Sequence, residues 1–158
     1  MPAKRALALG LSHEICGEAG LGWARRLQLV HAGLRGEGGF AGPIASYLGR
    51  KYGYRDEDGA RWGARVAQLL RMLATRLREQ RAAGSRYYVG ESLTAVDIYS
   101  ATFSAMFAPL PPEQCAMDLG TRAAFETRDT ETEIALDPVL LEHRDMMYAK
   151  HLELPLAL

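Results

Sequence analysis

His13, Glu14 and Cys16 lie within four residues of one another and are the first side chains along the chain that could do chemistry together. A thiol beside an imidazole is the smallest nucleophile-and-base pair, because the base removes the proton that keeps the sulfur inert. On a helix, His13 and Cys16 are neighbours at i, i+3. No acid is fixed in place to orient the imidazole, however, and Cys16 reads more simply as a small packing residue. His13-x-x-Cys16 is also a spacing found among zinc ligands, but a tetrahedral site needs a second pair. The sequence offers none, so no metal is expected.

Other short patterns carry less. "HRD" at 143–145 spells the start of a phosphoryl-transfer loop, but the downstream Asn, a Gly-rich loop and "DFG" are all missing. The glycines of "GEAGLG" and "GEGGFAG" follow no strand and precede no GK[ST], so they do not form a phosphate cradle.

Asp97 poses a different question. In "ESLTAVDIYSATFSAMF", residues 91–107, it is the only charged side chain between Ala95 and Phe107. With Thr94 as N-cap, Asp97 is N3, and "TAVD" is a capping box. The Thr94 hydroxyl is expected to accept from the N3 amide and the Asp97 carboxylate from the Thr94 amide, with Leu93 and Ile98 at hydrophobic-staple spacing. A helix start buried away from water needs such partners, and the carboxylate also meets the positive end of the helix dipole. Because that structural need accounts for the residue, Asp97 is not read as catalytic.

The elements that position these residues follow from periodicity. Residues 4–17 read as a helix with Leu7, Leu11 and Ile15 on one face, and Ala6, Leu9, Gly10, His13 and Gly17 on roughly the other. Residues 21–34 repeat the pattern with Trp23, Leu27, Val30 and Leu34. A short helix follows near Ile44–Gly53. Residues 56–83 carry Trp62, Val66, Leu69, Leu70, Leu73 and Leu77 as a stripe, backed by an arginine run read as a solvated face. Residues 94–107 are apolar on nearly every side, which places them inside a bundle; Pro109, Pro111 and Pro112 end them. A looser region leads to a last helix from Pro138 to about His151, and "LELPLAL" reads as a tail packed back on the body. Nothing alternates with period two, so the fold class is all-α: about five to six helices around a buried central helix.

The totals set the frame. The 158 residues, 48% hydrophobic, form one domain, 1–158, long enough to bury a core. Nineteen basic and nineteen acidic residues cancel, leaving no net field to draw nucleic acid or anionic lipid. The two cysteines are far apart and share no motif, which makes a reducing compartment the default. No stretch is long and apolar enough to span a membrane, and the opening apolar run is interrupted at Ser12 to Glu14. A cytoplasmic protein is expected.

"YYVGESLTAVDIYSATF" resembles the segment of glutathione S-transferases in which G-x-x-T-x-x-D opens the buried helix of the α-helical C-terminal domain, with Thr94 and Asp97 matching the capping residues. "RALALGLSHEICGEAGLGWARRL" is similar to the helices that follow the interdomain linker, and "LDPVLLEHRDMMYAKHLELPL" to the C-terminus. The resemblance spans essentially the whole chain and implies a helical bundle of the transferase C-terminal type. The family's N-terminal thioredoxin-like domain, which binds glutathione and activates its thiol, has no counterpart in these residues and is expected to be absent.

The resemblance therefore implies no catalytic residue here. It implies one wall of an electrophile pocket on the second face of the first helix, at Leu9, His13 and Gly17 with Glu14 at its edge, and a share of a dimer interface. Trp23 and Arg26 could serve packing or the pocket. No cofactor is expected in this chain; glutathione would be a co-substrate only if a thioredoxin-like domain were supplied. A second copy of the chain or such a domain is the expected partner, and a small electrophile the expected ligand. The alternative is a stand-alone helical module for protein–protein interaction.

Overall fold

The computed structural model describes residues 2–156. Eight helices follow in order: α1 (Pro2–Cys16), α2 (Leu21–Arg35), α3 (Gly42–Lys51), α4 (Gly59–Ala82), α5 (Ala95–Phe103), α6 (Leu119–Glu126), α7 (Thr130–Ala135) and α8 (Pro138–Lys150), with short 3-10 turns at Asp56–Asp58 and Ser104–Met106. No strand is present among the described residues. The six expected helices are all found, and the all-α class holds.

The two additional helices, α6 and α7, lie in the region read as loose. Each starts at an aspartate whose carboxylate accepts from the amide three residues on: Asp118 from Thr121 at 2.9 Å and Asp129 from Thr132 at 2.7 Å. Asp137 caps α8 through the Val139 amide at 2.9 Å, with Pro138 at the first helical position. At 8 and 6 residues, α6 and α7 are too short for a 3.6-residue period to show.

The long helix α4 is the spine. Its predicted stripe, Trp62, Val66, Leu69, Leu70, Leu73 and Leu77, is buried throughout. It packs against α2 on one side and α7 and α8 on another, while α5 lies between α1 and α8. From α2, Leu21, Ala24 and Leu27 enter the same core, although Leu34, expected inside, is largely exposed. Gly22 allows the close approach of α2 to the end of α5: a methyl there would overlap the Phe103 ring.

Three expectations shift. On α1, Leu11 and Ile15 are buried and Ala8 packs beside them, while Leu7 is 39% exposed at the edge of the contact. The central helix is shorter than the 94–107 expected, because its last turn tightens into 3-10 geometry at Ser104. It is also not enclosed: Val96, Asp97, Ser100 and Ala101 are buried, but Ala95, Tyr99 and Thr102 form an open stripe. The arginines on α4 are not simply solvated. Arg71, Arg78 and Arg81 pair with Glu131, Asp137 and Glu142, and Arg76 donates to the Tyr88 carbonyl at 2.8 Å.

In the tail, Leu152, Leu154 and Leu156 pack with Met147, Tyr148 and Cys115, and the Leu156 amide donates to the Gln114 carbonyl at 2.8 Å. The tail thus returns to the body as expected, except that Ala157 and Leu158 lie outside the described residues. No described helix is long and apolar enough to cross a membrane.

Candidate functional site

Helix α1 carries the residues singled out for a pocket wall. Leu9 is 62% exposed, and His13, one turn on, is exposed on the same side. Gly10 stands between them, with open space where a Cβ would be. Gly17 ends the helix under His13, whose ring and carbonyl a methyl at Gly17 would overlap. A side chain at Gly17 would have to displace the His13 ring and crowd its carbonyl. Glu14 takes a different direction: its carboxylate is paired with Arg65 of α4, which also donates to the Ala19 carbonyl at 3.1 Å. The structure therefore brings Leu9, His13 and Gly17 onto one surface and uses Glu14 to tie α1 to α4.

The pairing of His13 with Cys16 as a reactive couple has no support from the environment of the sulfur. Cys16 is a free thiol, and partial burial pushes its pKa up, away from the thiolate. Among the described residues no three His, Cys, Asp or Glu side chains gather as a metal site would require.

The capping site is the best-defined polar constellation. Thr94 has extended backbone, as an N-cap must, and the capping box with Asp97 forms. Asp97 Oδ2 accepts from the Thr94 amide at 2.8 Å and from the Thr94 hydroxyl at 2.7 Å. The hydroxyl accepts from the N3 amide as expected and in addition donates to the carboxylate; the Asp97 amide also lies 3.1 Å from the Thr94 carbonyl. Leu93, the expected staple residue, is 40% exposed.

Asp97 Oδ1 then does what no capping rule specifies. It accepts from the Tyr88 amide at 2.9 Å and from His143 Nε2 at 3.0 Å. All three residues are inside: Asp97 and Tyr88 are 0% exposed and His143 2%. The Tyr88 ring stands edge-on to the imidazole at 4.9 Å, and its hydroxyl pairs with Ser100 at 2.8 Å. Burial alone would raise the Asp97 carboxyl, but the bonds from His143, Tyr88 and Thr94 outweigh it and hold the pKa below the ordinary carboxylate value. His143 donates through Nε2, and its Nδ1 is buried with no partner among the described residues. The "HRD" segment thus contributes a buried histidine that locks α8 to the start of α5. Sequence reasoning missed this role because the two residues are 46 positions apart.

A second buried constellation surrounds Arg25, which is 1% exposed. Its guanidinium donates to the carbonyls of Met106 at 2.9 Å, Phe125 at 3.1 Å and Thr127, and to Gln28 Oε1 at 2.8 Å. Gln28 passes the network on, donating to Asp129 Oδ2 at 2.9 Å and Thr132 at 2.8 Å. Burial lowers the Arg25 pKa to about 9, with Asp129 opposing the shift, so the side chain remains a cation at neutral pH. Of the two ambiguous residues beside it, Trp23 packs edge-on against Tyr52 at 5.2 Å, and Arg26 lies over the same Tyr52 ring at 4.7 Å.

No protein-family model matches this chain, and neither curated proteins nor solved structures yield a match.

Proposed function

We propose that this chain is a helical half of glutathione S-transferase type, which docks a thiol-activating partner domain and shapes an electrophile site beside it. The observation that carries the reading is the exposed face of α1. Leu9 stands 62% exposed, His13 lies over Gly17, and Gly10 leaves open space on the same helix. An apolar residue, a polar handle and a glycine that admits close approach are what a wall at a domain boundary needs. The capped start of α5, with Asp97 fully buried, agrees with the sequence resemblance that suggested the family.

In this reading the described residues contribute binding and not thiol chemistry. Glutathione thiol at neutral pH needs a donor or positive field to hold its thiolate. His13 is a poor candidate, for it is exposed on a helix surface and no side chain among the described residues bonds to it to orient it. A thioredoxin-like domain would bring that donor, glutathione would be the co-substrate, and a homodimer in a cytoplasmic setting would be the working form.

The test is turnover. The 158-residue chain should show no conjugation of glutathione to a chloronitrobenzene above background and should not be retained on immobilised glutathione. Fusing or adding a thioredoxin-like domain should restore turnover, and His13→Ala should then raise the KM for the electrophile more than it lowers kcat. Robust turnover by the chain alone would overturn this division of labour. If added domains restore nothing, while Leu9→Gln abolishes binding to another protein, the α1 face serves a helical interaction module instead.

A further inference from the structure

A second concave surface lies away from the α1 face and is built entirely within the helical bundle. It is a cavity of ≈ 420 Å³ between α2, the end of α5, α6, α8 and the returning tail, within the range of about 300–1,000 Å³ typical of small-molecule sites. Its walls are aromatic, thioether and aliphatic: Phe40, Phe103, Met106, Met117, Phe125 and Leu156. Flexible methionines beside aromatic rings make an adaptable apolar lining.

Two polar groups interrupt that lining without partners of their own. Arg26 is half-buried at the wall and lies over the Tyr52 ring, and among the described residues its guanidinium makes no hydrogen bond and no ion pair. This contrasts with Arg25 next to it, whose donors are all directed at carbonyls or Gln28. Tyr148 also lines the cavity; it is 6% exposed, and its hydroxyl pairs with no described residue. Burial pushes the Tyr148 phenol up, so it stays an O–H donor at neutral pH. The Tyr148 ring is buried while its hydroxyl is left free to donate to a molecule in the cavity. A cation and a phenol on an otherwise apolar wall fit a ligand with a long or flat apolar body and one anionic oxygen group.

We propose that this cavity binds an apolar monocarboxylate of the medium-chain fatty-acid class, with its hydrocarbon body among the aromatic and methionine side chains and its carboxylate held by Arg26 and Tyr148. The site is independent of the α1 face and of any partner domain. The other buried constellations are unsuited to this role. The Asp97 network is buried and leaves only His143 Nδ1 unpaired among the described residues, and the groove beside His143 is lined by Arg81, Ser85, Arg86 and Glu142, with Met146 its one large apolar side chain, so it lacks the wall a hydrocarbon body needs.

Isothermal titration of the full chain with decanoate, decan-1-ol and decyltrimethylammonium, each below its aggregation concentration, tests the assignment. Decanoate should bind one to one and more tightly than the alcohol by about tenfold or more, with the cation weakest. Arg26→Gln should erase the preference for carboxylate over alcohol, and Tyr148→Phe should reduce it. Ala105→Trp, which fills the cavity, should abolish binding of both, whereas Leu9→Gln on α1 should change neither. Should a variant fail to fold, methionine-methyl NMR of the unaltered chain reads the same question: decanoate should shift Met106 and Met117 and leave Met72 in place. Equal affinity for the three probes, no saturable decanoate binding, binding that survives Ala105→Trp, or shifts confined to other methionines would overturn the proposal.

Discussion

Asp97 and Arg25 are both buried charges, yet they are satisfied in opposite ways. Asp97 draws on its own neighbourhood, from Thr94 three residues before it and Tyr88 nine before it, and only His143 comes from far along the chain. Arg25 draws on distance. The three carbonyls it binds belong to residues 81, 100 and 102 positions away, and only Gln28 is local. The carboxylate closes the start of a single helix. The guanidinium holds together chain segments that have no regular hydrogen bonding with one another: the 3-10 turn after α5 and the end of α6. A planar fork with five donors suits that task, because it can serve several carbonyls from one fixed position. A carboxylate suits the other, since helix starts present amides.

The sharpest way to break this comparison is to remove Arg25. Arg25→Ala would strand Gln28 and three carbonyls and empty a large buried volume, and it should destabilise the fold by about 3–5 kcal/mol. Arg25→Lys should recover only part of that, since an ammonium cannot reproduce the fork. Urea melts of both variants measure it. Equal stability of Arg25→Ala and the parent chain would mean that the segment from Met106 to Thr127 is held by its apolar contacts alone.

Somewhat smaller losses are expected at the other centre. Asp97→Ala leaves the Tyr88 and Thr94 amides and His143 Nε2 without an acceptor and should cost about 2–4 kcal/mol. Thr94→Ala removes one bond to a carboxylate that keeps three, and should cost about 1–2 kcal/mol. That order, read from the same melts, distinguishes a carboxylate hub from a simple cap. In a simple cap the two substitutions would cost the same.

The smallest effect is on pH dependence. The Asp97 pKa is depressed in the folded chain. Its contribution to stability is therefore present above the unfolded-state value, about 3.9, and is lost as pH falls through the lower folded value. Melts taken from pH 6 downwards should steepen below about pH 4 in the parent chain and less so in Asp97→Ala. Parallel curves would assign the acid sensitivity to the other carboxyls held low at helix starts, Asp118, Asp129 and Asp137.

The sequence by itself determined the helices whose apolar residues recur over several turns, the stripe of α4 above all, and it determined the cap at Thr94 and Asp97. Both are local: a period needs only a dozen neighbouring residues, and a capping box needs four. It also contained the aspartates that start α6 and α7, in Asp118-x-x-Thr121 and Asp129-x-x-Thr132, but these caps precede helices of only 8 and 6 residues, too short for an apolar period to confirm them. Tertiary structure alone decided the rest. It turned Glu14 from the α1 face towards Arg65, opened one side of α5, brought His143 to Asp97, and separated two adjacent arginines, one buried among carbonyls and the other at an apolar cavity. Arg25 and Arg26 are the same residue type at consecutive positions of one helix, about 100° apart around its axis. What each one does was fixed by which segments, a hundred residues further along, the fold laid against each direction.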